Sequence, residues 1–134
     1  MLGVLIDDCQ GSSLFRPNGR FMKFCIAHRH WGRGLGISIF MACQNYTSPA
    51  SCPRAVRGNL THCMLFRNKD MNTIKQVAAE FGGEIDEETF MKVYEEATRD
   101  SPHDFLFIDL AKKDSHPSMF RKNFNTFIIP DSVR

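Results

Sequence analysis

At 134 residues, 43% of them hydrophobic, the chain is long enough for one domain with a real core, and its composition excludes wholesale disorder. Seventeen Lys and Arg against 15 Asp and Glu leave a net charge of +2, so no global field points to nucleic acid and any basic face has to be local. Five cysteines, at 9, 25, 43, 52 and 63, are odd in number, with no CxxC pair and no zinc-type spacing. They read as reduced intracellular thiols, with Cys25 and Cys43 as core filling in apolar runs. No segment approaches the roughly 20 apolar residues that cross a bilayer, and no basic region precedes an apolar stretch at the amino terminus. An unsecreted, intracellular protein with no membrane span is expected, so the glycan acceptor patterns at Asn45 and Asn59 carry no weight.

Gly3-Val4-Leu5-Ile6 is an aliphatic run ending in the paired acids Asp7 and Asp8. Such a uniformly aliphatic strand reads as one buried on both faces of a parallel sheet, whose ligands bind beyond the strands' carboxyl ends. Two acids there suit a metal-assisted reaction, in the manner of the Walker B aspartate that helps hold magnesium in P-loop nucleotidases. Nothing upstream of the strand resembles a glycine-rich phosphate loop.

Cys9 to Asn18 reads as a loop, marked by Gly11, Ser12, Ser13 and Pro17. Phe21, Phe24, Cys25 and His28 recur at helical steps and predict an amphipathic helix stopping at Gly32 or Gly34. Within it, His28 and His30 diverge as residues two apart on a helix do, which makes them surface residues rather than a metal pair. Trp31 suits either a packed helix end or a subunit contact. Ile37 to Cys43 is a second aliphatic strand, closed by Gln44-Asn45 and then Ser48-Pro49-Ala50-Ser51-Cys52-Pro53. A neutral amide at Gln44 can orient a water or sense a terminal phosphate without adding negative charge.

A helical turn is expected over Arg54 to Arg57 and a third strand over Thr61 to Phe66. Asp70 is an N-cap for a helix carrying Ile74, Val77, Ala78 and Phe81 and stopping at Gly82-Gly83. Asp86 opens another, with Glu87 and Glu88 in its first turn, that turns Phe90, Val93, Tyr94 and Ala97 toward the core and ends before Ser101-Pro102. Phe105 to Ile108 forms a fourth strand and Asn125 to Ile129 a weaker edge strand. Between them lies a basic connection whose Lys112, Lys113, Arg121 and Lys122 either touch DNA phosphates or are simply solvated. The alternation predicts an α/β fold, a mostly parallel sheet flanked by helices, in a single domain spanning 1–134.

In order, the distinctive pieces are the strand ending Asp7-Asp8, Arg33-Gly34-Leu35-Gly36-Ile37, a strand ending Ala42-Cys43-Gln44, Val56-Arg57-Gly58-Asn59, and Met64-Leu65-Phe66-Arg67. Phe105 to Asp109 and Phe120-Arg121-Lys122-Asn123-Phe124 complete the set. Over nearly the whole chain they resemble the second half of an FtsK/HerA-superfamily ATPase. Within that group the likeness is to the genome-packaging ATPases of poxviruses and other nucleocytoplasmic large DNA viruses.

The resemblance implies the carboxyl-terminal part of a P-loop NTPase (RecA-like) core, beginning at Walker B and lacking the P-loop strand. It implies ATP and Mg2+ as cofactors, double-stranded DNA as partner and a homo-oligomeric ring. An upstream polypeptide carrying the P-loop, a capsid or membrane protein, and a place in the virus factory or virion follow from it too. By the same resemblance, Asp7 holds magnesium and Asp8 polarises the attacking water. Gln44 senses the terminal phosphate, and Arg33 is the arginine finger for a neighbouring subunit, with Arg29 and Arg57 as rivals. The nucleotide-binding loop itself has no counterpart here, which leaves open a catalytically silent or split-gene half that acts only with a partner chain. A third reading is a metal-dependent nuclease using Asp7, Asp8 and Asp109.

Overall fold

The computed structural model describes residues 2–9, 11–16, 19–31, 33–46 and 52–133. The chain divides into two compact units, residues 1–60 and 61–134.

In the first unit, β1 (Leu2–Ile6) and β2 (Ile37–Met41) pair in parallel, with Leu2 opposite Ile37 and Ile6 opposite Met41. The Ala42 N–H donates to the Ile6 carbonyl at 2.9 Å and carries the ladder one step past the last pair. Between the strands come a 3-10 turn at Ser13–Phe15, α1 (Arg20–Ala27) and a second 3-10 turn at His28–His30. The Ser12 hydroxyl caps the first turn by accepting from the Leu14 N–H. The expected stop at Gly32 lies outside the described residues; the helix tightens into 3-10 geometry at His28, as helix ends commonly do. The short α2 (Arg54–Arg57) supplies Val56, which joins Cys25 and Cys52 in a buried cluster packed by Phe21, Met22, Ile39 and Met41.

Alternation along the strands sends Leu5 and Phe40, which are register partners, to the other face, where they are 76% and 54% exposed. Burial on both faces, expected of an aliphatic parallel strand, is thus not met on that side. Cys43, expected as core filling, is exposed as well, because β2 ends at Met41 and Cys43 lies beyond the last pair.

The second unit holds β3 (His62–Phe66), α3 (Met71–Phe81), α4 (Glu87–Thr98), β4 (Phe105–Asp109), β5 (Phe120–Lys122) and β6 (Thr126–Phe127), then a 3-10 turn at Pro130–Val133. Its strands run in the order β3-β4-β5-β6 with every neighbour antiparallel. The fold is mixed α/β, with a two-stranded parallel and a four-stranded antiparallel sheet, and so departs from the mostly parallel sheet expected. The physical reason lies in the connections. One crossover helix returns a chain for a parallel strand, whereas the two successive helices between β3 and β4 bring it back at the strand's exit end. Residues 123–125 join β5 to β6 as a tight hairpin with Asn123 at φ 54°, a conformation asparagine tolerates well.

Sequence chemistry accounts for the helices directly. The Asp70 carboxylate accepts from the Asn72 N–H at 3.1 Å, and that of Asp86 from the Thr89 N–H at 2.7 Å, each covering an orphan donor of a first turn. Phe90 and Val93 lie on α4, which packs on β4 and β5, while Ile74 and Val77 lie on α3, which packs on α4; with Leu106, Ile108 and Phe120 they are all essentially without solvent contact. Bonds from the Thr89 N–H and then the Thr89 hydroxyl hold the Asp86 carboxyl below the usual carboxylate range. Asp100 is held down by Lys122 and Arg99, and Asp104 chiefly by the Asn123 amide. Because these folded values are depressed, their stabilisation is complete above the unfolded value of about 3.9 and is lost as pH falls through the folded ones. Asp86→Asn, which keeps a capping oxygen but cannot titrate, is expected to flatten the acid-side fall of urea midpoints; an unchanged pH profile would contradict this assignment.

Candidate active site at the carboxyl ends of the parallel strands

Because β1 and β2 run the same way, the residues that follow them share one rim: Asp7 and Asp8 after Ile6, and Ala42, Cys43 and Gln44 after Met41. Asp8 adopts a left-handed backbone at φ 50°, which aspartate tolerates because its short side chain can bond locally. The Gln44 Nε2 donates to Asp8 Oδ1 at 3.3 Å, joining residues 36 apart in the chain. An exposed carboxylate and an exposed amide therefore meet at the point where ligands of parallel strands bind.

Asp7 is exposed, and its backbone carbonyl accepts from the Cys9 thiol at 3.2 Å. Its carboxylate meets no side chain among the described residues. That donor set fits magnesium, which keeps several waters and binds through one or two carboxylates together with substrate phosphates. It does not fit a protein-closed cage, and no group of three His, Cys, Asp or Glu suited to a metal occurs among the described residues.

The arginines separate. Arg33, at φ 58°, lies in the turn before Ile37, whose partner is Leu2, so it stands at the amino ends of the strands. Five residues at about 3.3 Å each, roughly 16 Å, divide that rim from the acids. The structure does not bring Arg33 to Asp8 within one unit. Arg29 belongs to the same rim, its carbonyl lying 3.6 Å from where a Cβ on Gly36 would stand. Arg57 lies with the other group: its guanidinium donates to the Cys52 carbonyl at 2.7 Å and sits 4.9 Å over the Tyr46 ring, two residues past Gln44.

In the second unit, Asp109 is 6% exposed and accepts from the Arg121 guanidinium at 2.9 Å. That guanidinium sits over the Phe107 and Phe127 rings at 5.4 and 4.6 Å. His62 and His116 approach the same carboxylate at 3.5 and 3.6 Å. Arg121, expected in an exposed basic connection, is thus largely buried on β5, and Lys122 pairs with Asp100 and Asp104. An open cleft of about 840 Å³ nearby is lined by Arg67, Lys92, Arg99 and Lys122. Its Arg99 and Lys122 are already paired with Glu96, Asp100 and Asp104, which makes it a salt-bridged groove. The Tyr46–Arg57 stack escaped sequence reading; the only signal for it was an aromatic and an arginine flanking one proline-rich loop.

Compared with known proteins, the chain matches no family model, and neither a curated protein nor a solved structure is significantly similar to it.

Proposed function

We propose that this chain is the carboxyl-terminal part of a magnesium-dependent ATPase motor of the FtsK/HerA type, one that moves double-stranded DNA into a viral capsid. The observation carrying the reading is the Gln44–Asp8 contact at the shared carboxyl rim of β1 and β2. In this reading Asp8 accepts the proton of the attacking water, and the Gln44 amide fixes the water's position without adding charge. Asp7 would hold Mg2+, whose charge, when bound, offsets that of the ATP phosphates. Arg33, at the far rim, would serve a neighbouring subunit of a ring, while Arg57 stacks on Tyr46, two residues past Gln44. The β1–β2 pair would be the piece of a RecA-like sheet beside Walker B; the antiparallel sheet lies outside that comparison.

The DNA partner draws support from charge segregation. Residues 1–60 carry seven Lys or Arg and two Asp, a net +5, whereas residues 61–134 carry ten and thirteen, a net −3. Duplex binding is expected to weaken with salt, with a slope of log K against log [salt] of about −3 or steeper, as three or more phosphate contacts require. A salt-independent affinity in fluorescence anisotropy would exclude the backbone contacts assumed. The catalytic reading is tested by combining the chain with a polypeptide that supplies a P-loop and measuring ATP turnover with and without magnesium. Magnesium-dependent turnover is expected, and none in any combination would end the motor reading.

A second reading is a silent half that folds against a partner chain, favoured by the exposure of Leu5 and Phe40 on one face of a two-stranded parallel sheet. A stable, monodisperse monomer in sedimentation would count against it. The nuclease reading has less support, since Arg121 already neutralises the carboxylate of Asp109.

A further inference from the structure

An open cleft of about 450 Å³ runs along α1 and the turn after it, lined by Arg20, Phe21, Lys23, Phe24 and Trp31. The helix period sets this lining: Arg20, Lys23 and Phe24 stand three and four residues apart on one side of α1, while Met22 and Cys25 turn to the buried cluster with Val56. Trp31 meets Phe24 edge-on, with ring centroids 5.4 Å apart and planes at 75°. Such a contact covers at most one face of each ring, and Trp31 remains 51% exposed. Its backbone is held from both directions, the N–H donating to the His28 carbonyl at 3.4 Å and the carbonyl accepting from the Gly36 N–H at 3.0 Å. An exposed aromatic surface is therefore fixed in place before anything binds, which lowers the entropic cost of binding.

The charge beside these rings is uncompensated. Arg20 and Lys23 are exposed, and neither forms an ion pair among the described residues. Residues 9–60 contain no Asp or Glu at all. The larger cleft of the second unit differs on this point, since its Arg99 and Lys122 are matched by Glu96, Asp100 and Asp104.

We propose that the α1 cleft binds single-stranded DNA, with one unpaired base stacked on Trp31 beside Phe24 and the adjacent phosphates held by Arg20 and Lys23. Rings with flanking cations are what an unpaired strand needs: every base has a π-face to stack, and the backbone carries the charge. The volume lies within the roughly 300–1,000 Å³ of small-ligand sites, room for a single base. An anionic membrane also offers phosphates, but a helix lying in a membrane surface sinks its apolar face into the lipid, and Met22 and Cys25 of α1 are already packed inside the protein. The inference rests on the DNA reading above for the choice of polymer, and adds that the chain grips strands where they part or end.

Trp31 is the only tryptophan of the chain, so its fluorescence reports this site. Titrating the full chain with an oligothymidylate of about ten nucleotides, within the span that one small groove covers, is expected to quench that emission. An abasic strand with the same number of phosphates should bind about 5- to 150-fold more weakly, the worth of one stacked base. In anisotropy with a labelled oligothymidylate, Trp31→Ala should lose affinity by the same factor, and Trp31→Phe, which keeps a ring, should recover most of it. Arg20→Gln combined with Lys23→Gln should flatten the slope of log K against log [salt] by about 1.4, at about 0.7 for each phosphate contact released. Equal affinity for the abasic strand and the oligothymidylate, or unchanged affinity in Trp31→Ala, would overturn the proposal. So would Trp31 emission that shifts on phosphatidylserine vesicles and not on the oligonucleotide. A blunt duplex in the same titration keeps the two readings apart: duplex binding without any response to single strands ends this inference and leaves the DNA reading standing, and single-strand binding without duplex binding does the reverse.

Discussion

Asp8→Asn, in the chain combined with a P-loop polypeptide, is expected to lower magnesium-dependent ATP turnover by about 10²- to 10⁴-fold, the range a positioned general base contributes. The substitution isolates proton acceptance from everything else the residue does. Asparagine enters the left-handed region that Asp8 occupies at φ 50° as readily as aspartate does, so the turn after β1 is kept. Its amide oxygen can still accept from the Gln44 Nε2, so the link between the two strand ends also survives. What it cannot do is take a proton from water. Asp7→Asn should differ in kind, shifting the magnesium dependence to higher concentration and recovering with excess ion, because a neutral oxygen is a weaker ligand for a hard cation. Wild-type turnover in Asp8→Asn would remove the base role, whatever Asp7→Asn did.

The candidate site was legible in the sequence to the extent that strand direction was. Two aliphatic runs separated by a helix call for a parallel pair, and a parallel pair puts Asp7, Asp8 and Gln44 at one rim. The same direction puts a residue preceding β2 at the opposite rim, so the distance of Arg33 from the acids was already implicit in the parallel reading. Helix ends were legible because their signals are local: Asp70 and Asp86 bond the N–H groups two and three residues on. The sense of the second sheet was not, because hydrophobic periodicity carries no direction. Phe105 to Ile108, buried on both faces, reads the same in either. Nor was β5 legible, because an arginine paired with Asp109 and lying over Phe107 and Phe127 is the same letter as a solvated one.

Where the second unit keeps its stability is a question that Phe90→Ala answers: its urea unfolding free energy should fall by about 3–5 kcal/mol, the range for removing a buried aromatic ring. Phe90 has no solvent contact and meets Phe120 edge-on at 6.0 Å, so it is where α4 locks onto β5. A Cβ on Gly82 would lie 3.5 Å from its ring, so the turn between α3 and α4 closes over it as well. Helix, sheet and turn all lose contacts when the ring goes, and a rigid surround cannot collapse to fill the space. Phe66 on β3 carries the same side chain but is 51% exposed, with the Phe105 ring as neighbour at 5.0 Å. Phe66→Ala should therefore cost a small fraction as much. Equal losses for the two, measured as hydrogen-exchange protection of β4, would mean that α4 does not anchor the antiparallel sheet.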